Sequence, residues 1–176
     1  MSCDLLPSES DFGPHYQGDV FDIIDGGWDM MIAHPPCTYL ASSGSAWLYN
    51  KDGTKNDERW KNRFLALEFV RNLLSLNIPK IAVENPVGCI SSQIRKPDQY
   101  IQPYEHGHNI SKKTGLWLKN LPLLVPSDIV EPEWVYYKNG GKCSPDHYNH
   151  AFSSKRRHLR SITYSGIATA MAEQWG

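Results

Sequence analysis

The chain has 176 residues, 40% of them hydrophobic, which suits one domain with a genuine core. A formal net charge of −1 at pH 7 excludes a molecule that attracts polyanions over its whole surface. Four scattered cysteines, no visible secretory leader and no apolar run near the roughly 20 residues that a bilayer requires point to a reducing cytoplasm and no membrane partner.

In chain order, Ser2-Cys3-Asp4-Leu5-Leu6-Pro7 reads as the end of a strand with Asp4 at its carboxyl edge. Residues 8–16, rich in Ser, Gly and Pro, predict a loop. Gly18-Asp19-Val20 opens a short helix through Ile24, which Gly26-Gly27 closes. The apolar run at 28–33 predicts a buried strand, and Pro35-Pro36-Cys37 forms a stiffened loop beyond it. Residues 38–56 carry small and polar side chains around Trp47-Leu48-Tyr49 and predict a long loop that serves as a lid. Asp57 then caps an amphipathic helix to about Leu76, with Trp60, Phe64, Leu67 and Leu74 on one face. A second apolar run at 78–83 predicts a strand that ends in Glu84-Asn85-Pro86. Strand, helix, strand is a crossover unit, and such units predict a mostly parallel sheet.

Beyond Pro86 the pattern loosens. Residues 99–103 predict a short extended piece and 114–119 a strand ended by Leu121-Pro122. Residues 166–175 predict a short helix with Ile167, Ala170, Met171 and Gln174 along one side. The intervening stretch at 120–160 is irregular and holds no second domain. Its Lys155-Arg156-Arg157-His158-Leu159-Arg160 cluster, like Lys112-Lys113, is a local candidate for nucleic-acid contact, with a solvated face as the plainer reading. Cys143, Asp146, His147 and His150 lie near one another but lack a paired Cys-x-x-Cys, so no metal site is predicted.

A thiol just past a buried strand is where an α/β enzyme tends to keep a nucleophile. Cys37 holds that place, and Glu84 puts a carboxylate at the end of the next strand. The pair suits covalent attack on a ring, with an acid to polarise it. The plainer readings are a buried small hydrophobe for Cys37 and a helix cap or surface charge for Glu84.

Taken in order, these segments resemble a cytosine-5 DNA methyltransferase of the small kind that phages and prophages encode. His34-Pro35-Pro36-Cys37 followed by Ala41-Ser42-Ser43-Gly44 is similar to the family's Pro-Cys nucleophile loop and its downstream Gly. Glu84-Asn85-Pro86 is similar to the Glu-Asn-Val element, with Pro in place of Val. His106-Gly107-His108 through Lys112-Lys113, with the strand at 115–119, resembles the Gly…Gln-Arg-x-Arg element; the arginines are absent and Lys113 stands in for them. His34 occupies the place where amino-methyltransferases carry Asp or Asn, which argues against methylation of an exocyclic amine.

The resemblance implies an α/β, Rossmann-like fold of the S-adenosylmethionine-dependent methyltransferases, in a single domain over 1–176. It implies S-adenosylmethionine as cofactor and DNA as partner. Cys37 would add to carbon 6 of cytosine, and Glu84 would hydrogen-bond the ring nitrogen and exocyclic amine. Asp4 and Asp19 fall where the family binds the ribose hydroxyls and adenine amine of the cofactor, with Pro35 beside them. Pro36, Ser43, Gly44, Asn85 and Lys113 fall on the substrate side. A base in a duplex would flip out first, and the loop at 38–50 would close behind it.

The family's first strand and Gly-rich turn have no counterpart before Ser2. The resemblance therefore implies an N-terminally truncated fold and a longer natural protein in which Met1 is internal. No target-recognition domain follows Lys119, which leaves the substrate open between cytosine in loosely specified DNA and a nucleotide. A rival of another class also stays open: a catalytically inactive nucleic-acid-binding or decoy protein derived from the same fold.

Overall fold

Two apolar runs joined by one long helix organise the molecule. The computed structural model describes residues 1–9, 11, 13–145, 148 and 162–176. The chain opens with β1 (Ser2–Asp4) and β2 (His15–Gln17), which pair in parallel with Ser2 opposite His15. β2 falls where a loop was expected; three residues are too few to register as a period of two. Asp19 caps a single 3-10 turn at Val20–Asp22 rather than a longer helix. The first apolar run is β3 (Met30–Ala33).

Next comes α1 (Asp57–Ser75). Its cap is Asn56, not Asp57: the Asn56 side chain accepts the Arg59 amide at 3.1 Å. Asp57 and Glu58 instead occupy the first turn, where the helix dipole favours negative charge. The buried face is Leu67, Val70 and Leu73. Trp60 and Phe64, expected on that face, lie at the solvent-facing end, where Trp60 packs edge-on against Tyr49 at 6.2 Å between ring centres.

After α1 come β4 (Lys80–Pro86), the single turn α2 (Ile90–Gln93), β5 (Gln99–Ile101) and β6 (Thr114–Lys119). The larger sheet has the order β3-β4-β6-β5. β3 and β4 are parallel, as their helical crossover requires. β6 runs antiparallel to both β4 and β5, so the sheet is mixed rather than mostly parallel. The link from β5 to β6 carries only a 3-10 turn at Pro103–Glu105, and without a crossover helix the chain returns in the opposite direction. The stretch expected to be irregular also holds a small antiparallel ribbon, β7 (Val135–Tyr136) and β8 (Lys142–Cys143). The last element is α3 (Ser165–Trp175).

Alternation along β4 decides what packs where. Ile81 and Val83 face one side and join Leu67, Val70, Leu73 and Trp117 in a core beneath α1. Ala82 faces the other side and joins Leu116, Leu124 and the α3 residues Ile167, Ala170, Met171 and Trp175. Gln174 completes the docking of α3 by donating to the Val125 carbonyl and accepting from the Val125 amide. No helix among the described residues is long and apolar enough to cross a membrane.

Two histidines anchor the start of α3. His106 is 2% exposed and its Nδ1 lies 3.0 Å from the Ser127 hydroxyl. A Cβ on Gly166 would meet the His106 carbonyl oxygen at 1.8 Å, so only glycine allows this approach. The Gly166 amide donates to His108 Nε2 at 3.1 Å, which requires that nitrogen to be unprotonated. Burial pushes the His106 pKa below its usual 6.5. A depressed histidine pKa means that the unfolded chain takes up the proton more readily. The stabilisation is therefore complete above the unfolded value and drains as pH falls through the folded one. The melting temperature is expected to fall between pH 7.5 and pH 5, measured by circular dichroism, and His106→Asn is expected to flatten that dependence.

Candidate active site

The parallel register of β3 and β4 sets Ala33 opposite Val83. The next residues, His34 and Glu84, then sit abreast, as do Pro35 and Asn85. Two hydrogen bonds tie these pairs. His34 Nδ1 lies 3.1 Å from Glu84 Oε2, and Asn85 Nδ2 donates to the Pro35 carbonyl at 2.7 Å. Glu84 does not stand beyond its strand, as the apolar run alone predicted. β4 extends through Pro86, with Glu84 paired across to Leu116 and Pro86 closing the ladder opposite Thr114. A proline is tolerated at such a terminal position.

Cys37 is exposed, so its sulfur is not a buried small hydrophobe. Its carbonyl accepts the amides of Leu40 at 3.0 Å and Ala41 at 2.9 Å, closing a tight turn. From there the chain is fixed on two sides. Gly88 lies against Leu40 and Ala41, through the Cys89 amide on the Leu40 carbonyl and the Ser42 amide on the Val87 carbonyl. On the α1 side, Arg59 donates to the Thr38 carbonyl and Arg63 to the Tyr39 carbonyl and the Ser45 hydroxyl. The expected loop is in this part a 3-10 segment, Ser42–Leu48, pinned to the helix.

Glu84 is half-buried and lines a cavity of only about 30 Å³, shared with His34, Lys112, Thr114, Tyr164 and Ile167 among others. That volume suits about one water rather than a pyrimidine. Cys37 is not part of its lining. The structure thus brings the thiol loop and the carboxylate to neighbouring strand ends without enclosing both side chains in one pocket.

A larger cleft of about 550 Å³ opens on the other side of β3. It falls within the usual range for small-molecule sites, ≈300–1,000 Å³. Asp4, Asp19 and Pro35, the three residues expected to hold a cofactor, all line it, and so does Pro36. Each Asp also serves its own loop: Asp4 Oδ1 accepts the Leu6 amide at 2.8 Å and Asp19 Oδ1 accepts the Phe21 amide at 3.0 Å.

The other expected substrate contacts divide. Asn85 is 1% exposed; its Nδ2 donates to the Pro35 carbonyl and so holds the loop from within, while its Oδ1 is buried without a hydrogen-bond partner among the described residues. Ser43 is exposed on the 3-10 segment, and Gly44 sits close over the Thr38 carbonyl, 3.0 Å from where its Cβ would be. Lys113 is exposed over the Tyr100 ring at 4.2 Å, while its neighbour Lys112 reaches the Glu84 cavity. His34, Lys112 and Tyr164 line the cavity with Glu84; His34 and Tyr164 were not singled out for a role there, and Lys112 only as part of a basic pair for nucleic-acid contact. For His34 the register carried a usable signal, since residues one step past opposed strand ends must be neighbours.

Burial pushes the Cys89 thiol up, and burial together with Asp4, Asp19 and Asp22 does the same to Cys3, so neither offers a ready thiolate. Among the described residues no group of His, Cys, Asp or Glu is arranged to hold a metal ion. Asp146, His147, His150 and the basic cluster at 155–160 lie outside the described residues. No family profile, curated protein or solved structure matches the chain.

Gly88 tests how firmly the thiol loop is held. A Cβ there would stand 2.0 Å from the Leu40 carbonyl oxygen, and the clash is with backbone that cannot rotate away. Gly88→Ala is expected to destabilise the fold by about 1–3 kcal/mol in urea unfolding, in the range of other overpacked sites.

Proposed function

We propose that the chain transfers a methyl group to carbon 5 of cytosine, in DNA or in a nucleotide, with S-adenosylmethionine as donor and Cys37 as nucleophile. What carries this reading is the register of β3 and β4, which lets a Pro-Pro-Cys loop and a carboxylate leave the sheet side by side, tied through His34–Glu84 and Asn85–Pro35.

Carbon 5 of cytosine is too weak a nucleophile to take a methyl group unaided. Addition of the Cys37 thiolate to carbon 6 turns the ring into an enamine whose carbon 5 is nucleophilic. Glu84 hydrogen-bonds the ring nitrogen and the exocyclic amine as charge builds there. His34 holds the Glu84 carboxyl in one orientation through the 3.1 Å contact. When bound, the cofactor's sulfonium supplies an electrophilic methyl. The residues of the large cleft fit such a group: carboxylates at Asp4 and Asp19 for hydroxyl and amine donors, beside an apolar wall that includes Ile24, Trp28 and Phe69. Loss of the carbon-5 proton to water, with expulsion of the Cys37 thiolate from carbon 6, restores the ring.

A second reading, a nucleic-acid-binding protein without catalysis, draws support from the cavity of about 30 Å³ beside Glu84, which does not admit a base as it stands.

Transfer of labelled methyl groups to cytosine-containing DNA separates the two. The enzyme reading expects incorporation that Cys37→Ala abolishes and that Glu84→Gln lowers by about 10²–10⁴-fold, the range of a lost general acid. DNA binding in calorimetry, with neither cofactor binding nor incorporation, would leave only the second reading standing.

A further inference from the structure

Large apolar side chains scattered singly over a surface carry little information, whereas a contiguous exposed group marks an interaction site. Trp60 and Phe64 stand one turn apart on α1, 36% and 59% exposed. Both line a groove of about 420 Å³ between α1, the 3-10 segment and α2. The Trp60 ring is occupied: it packs edge-on with Tyr49, and Lys55 and Arg63 lie 5.9 and 5.8 Å from its centre. The Phe64 ring has neither an aromatic nor a cationic partner among the described residues. Among the described residues Arg63 is the one charged side chain of the lining, which holds no carboxylate. Two of its N–H groups donate to the Tyr39 carbonyl and the Ser45 hydroxyl, and the guanidinium has others to offer. Glu68, the next acidic residue along α1, is paired with Arg71 at 2.6 Å. Ser42 and Gln93 are exposed at the same groove and carry groups that both donate and accept.

We propose that this groove seats an unpaired base of single-stranded DNA, stacked on Phe64 with its phosphate at Arg63. A bare aromatic face beside a cation is the pairing that holds a base and its backbone without regard to which base it is. The adaptable hydroxyl and amide groups at Ser42 and Gln93 suit the edge of any base. Charge selects the same occupant, since the lining meets an anionic backbone with a guanidinium and opposes it with no carboxylate. A paired base keeps both faces within the stack of its duplex and offers none to Phe64. The groove also lies close to the thiol loop along the chain. The Cys37 carbonyl accepts the Ala41 amide at 2.9 Å, so those two residues stand about one helical pitch, roughly 5–6 Å, apart, and Ser42 follows directly. The assignment rests on DNA as the substrate of the proposed function and narrows it to a single strand. It uses neither Cys37 nor Glu84.

The test is the fluorescence anisotropy of a labelled oligothymidylate of about ten nucleotides, titrated with the full chain and without a methyl donor. The probe holds no cytosine, so it reports on the groove and not on the reaction. Phe64→Ala is expected to weaken binding by about 5- to 150-fold, the worth of one base stacked on an aromatic ring. Phe64→Tyr keeps a ring and is expected to retain the binding. A probe of the same length with abasic sugars throughout keeps the charge and lacks the stack, and is expected to bind the unmutated chain and Phe64→Ala equally. Undiminished binding of the oligothymidylate by Phe64→Ala, or an equal loss on the abasic probe, overturns the stack. Tighter binding of the matching duplex or of oligouridylate overturns the assignment to single-stranded DNA. No binding of any probe, with methyl transfer to a cytosine nucleotide intact, overturns the groove and leaves the proposed reaction standing. Binding that depends on Phe64, with no methyl transfer to any cytosine, leaves the groove standing and removes the reaction.

Discussion

The bond from the Asn85 amide to the Pro35 carbonyl is the contact on which the arrangement of the candidate site depends. It is 2.7 Å long and buried, and it joins the last stretch of β4 to the loop that leaves β3. A hydrogen bond in that setting is costly to break, because either partner left alone pays a desolvation penalty of about 1–3 kcal/mol. It fixes Pro35, Pro35 fixes the entry to Pro36-Cys37, and the turn closed by the Cys37 carbonyl sets the path through Leu40 and Ala41. His34 and Glu84 meet on the exposed side of the same strand ends. The thiol loop is therefore held from below by Asn85, from one flank by the backbone at Gly88 and from the other by Arg59 and Arg63.

This arrangement explains why the two hollows differ so much in size. On the α3 side the sheet is covered by Ile167 and Met171, and Gly166, anchored against His106 and His108, follows Tyr164, which shares the lining of the small cavity with Glu84. What remains there is room for about one water. On the β3 side the sheet ends at β3 among the described residues, and the cleft of about 550 Å³ remains open. A base entering beside Glu84 would have to displace the segment from Ile162 to Tyr164, which links the proposed chemistry to the docking of α3.

Much of the chain could be read before its structure. Helical periodicity placed α1 and α3 closely and a short apolar stretch placed β6, but the buried face of α1 was read through Trp60 and Phe64, where the structure buries Val70 and Leu73 beside Leu67. The two apolar runs became β3 and β4, and the crossover between them made that pair parallel. Strand direction elsewhere was not legible: nothing in Thr114–Lys119 encodes that it runs against β4, since the direction comes from the connection before it. Nor was the end of β4, because Glu84 and Asn85 extend the ladder through their backbones while their side chains look like a break. Of the candidate site, the nearness of the Cys37 loop to Glu84 was legible from the two strand ends. Lys112 was not, since the choice between adjacent lysines rests on which one the chain turns inward just before β6.

In the proposed reaction the sulfur of Cys37 and the carboxyl of Glu84 act on one pyrimidine. The most direct measurement is the intact mass of the protein after incubation with a short single-stranded oligonucleotide carrying 5-azacytosine, whose carbon 6 accepts a thiolate without any methyl donor. The account predicts a mass increase of one oligonucleotide, mapped to Cys37, absent in Cys37→Ser and much slower in Glu84→Gln. Formation of the adduct at the same rate in Glu84→Gln, or its appearance on Cys89 or Cys143 instead, would contradict it.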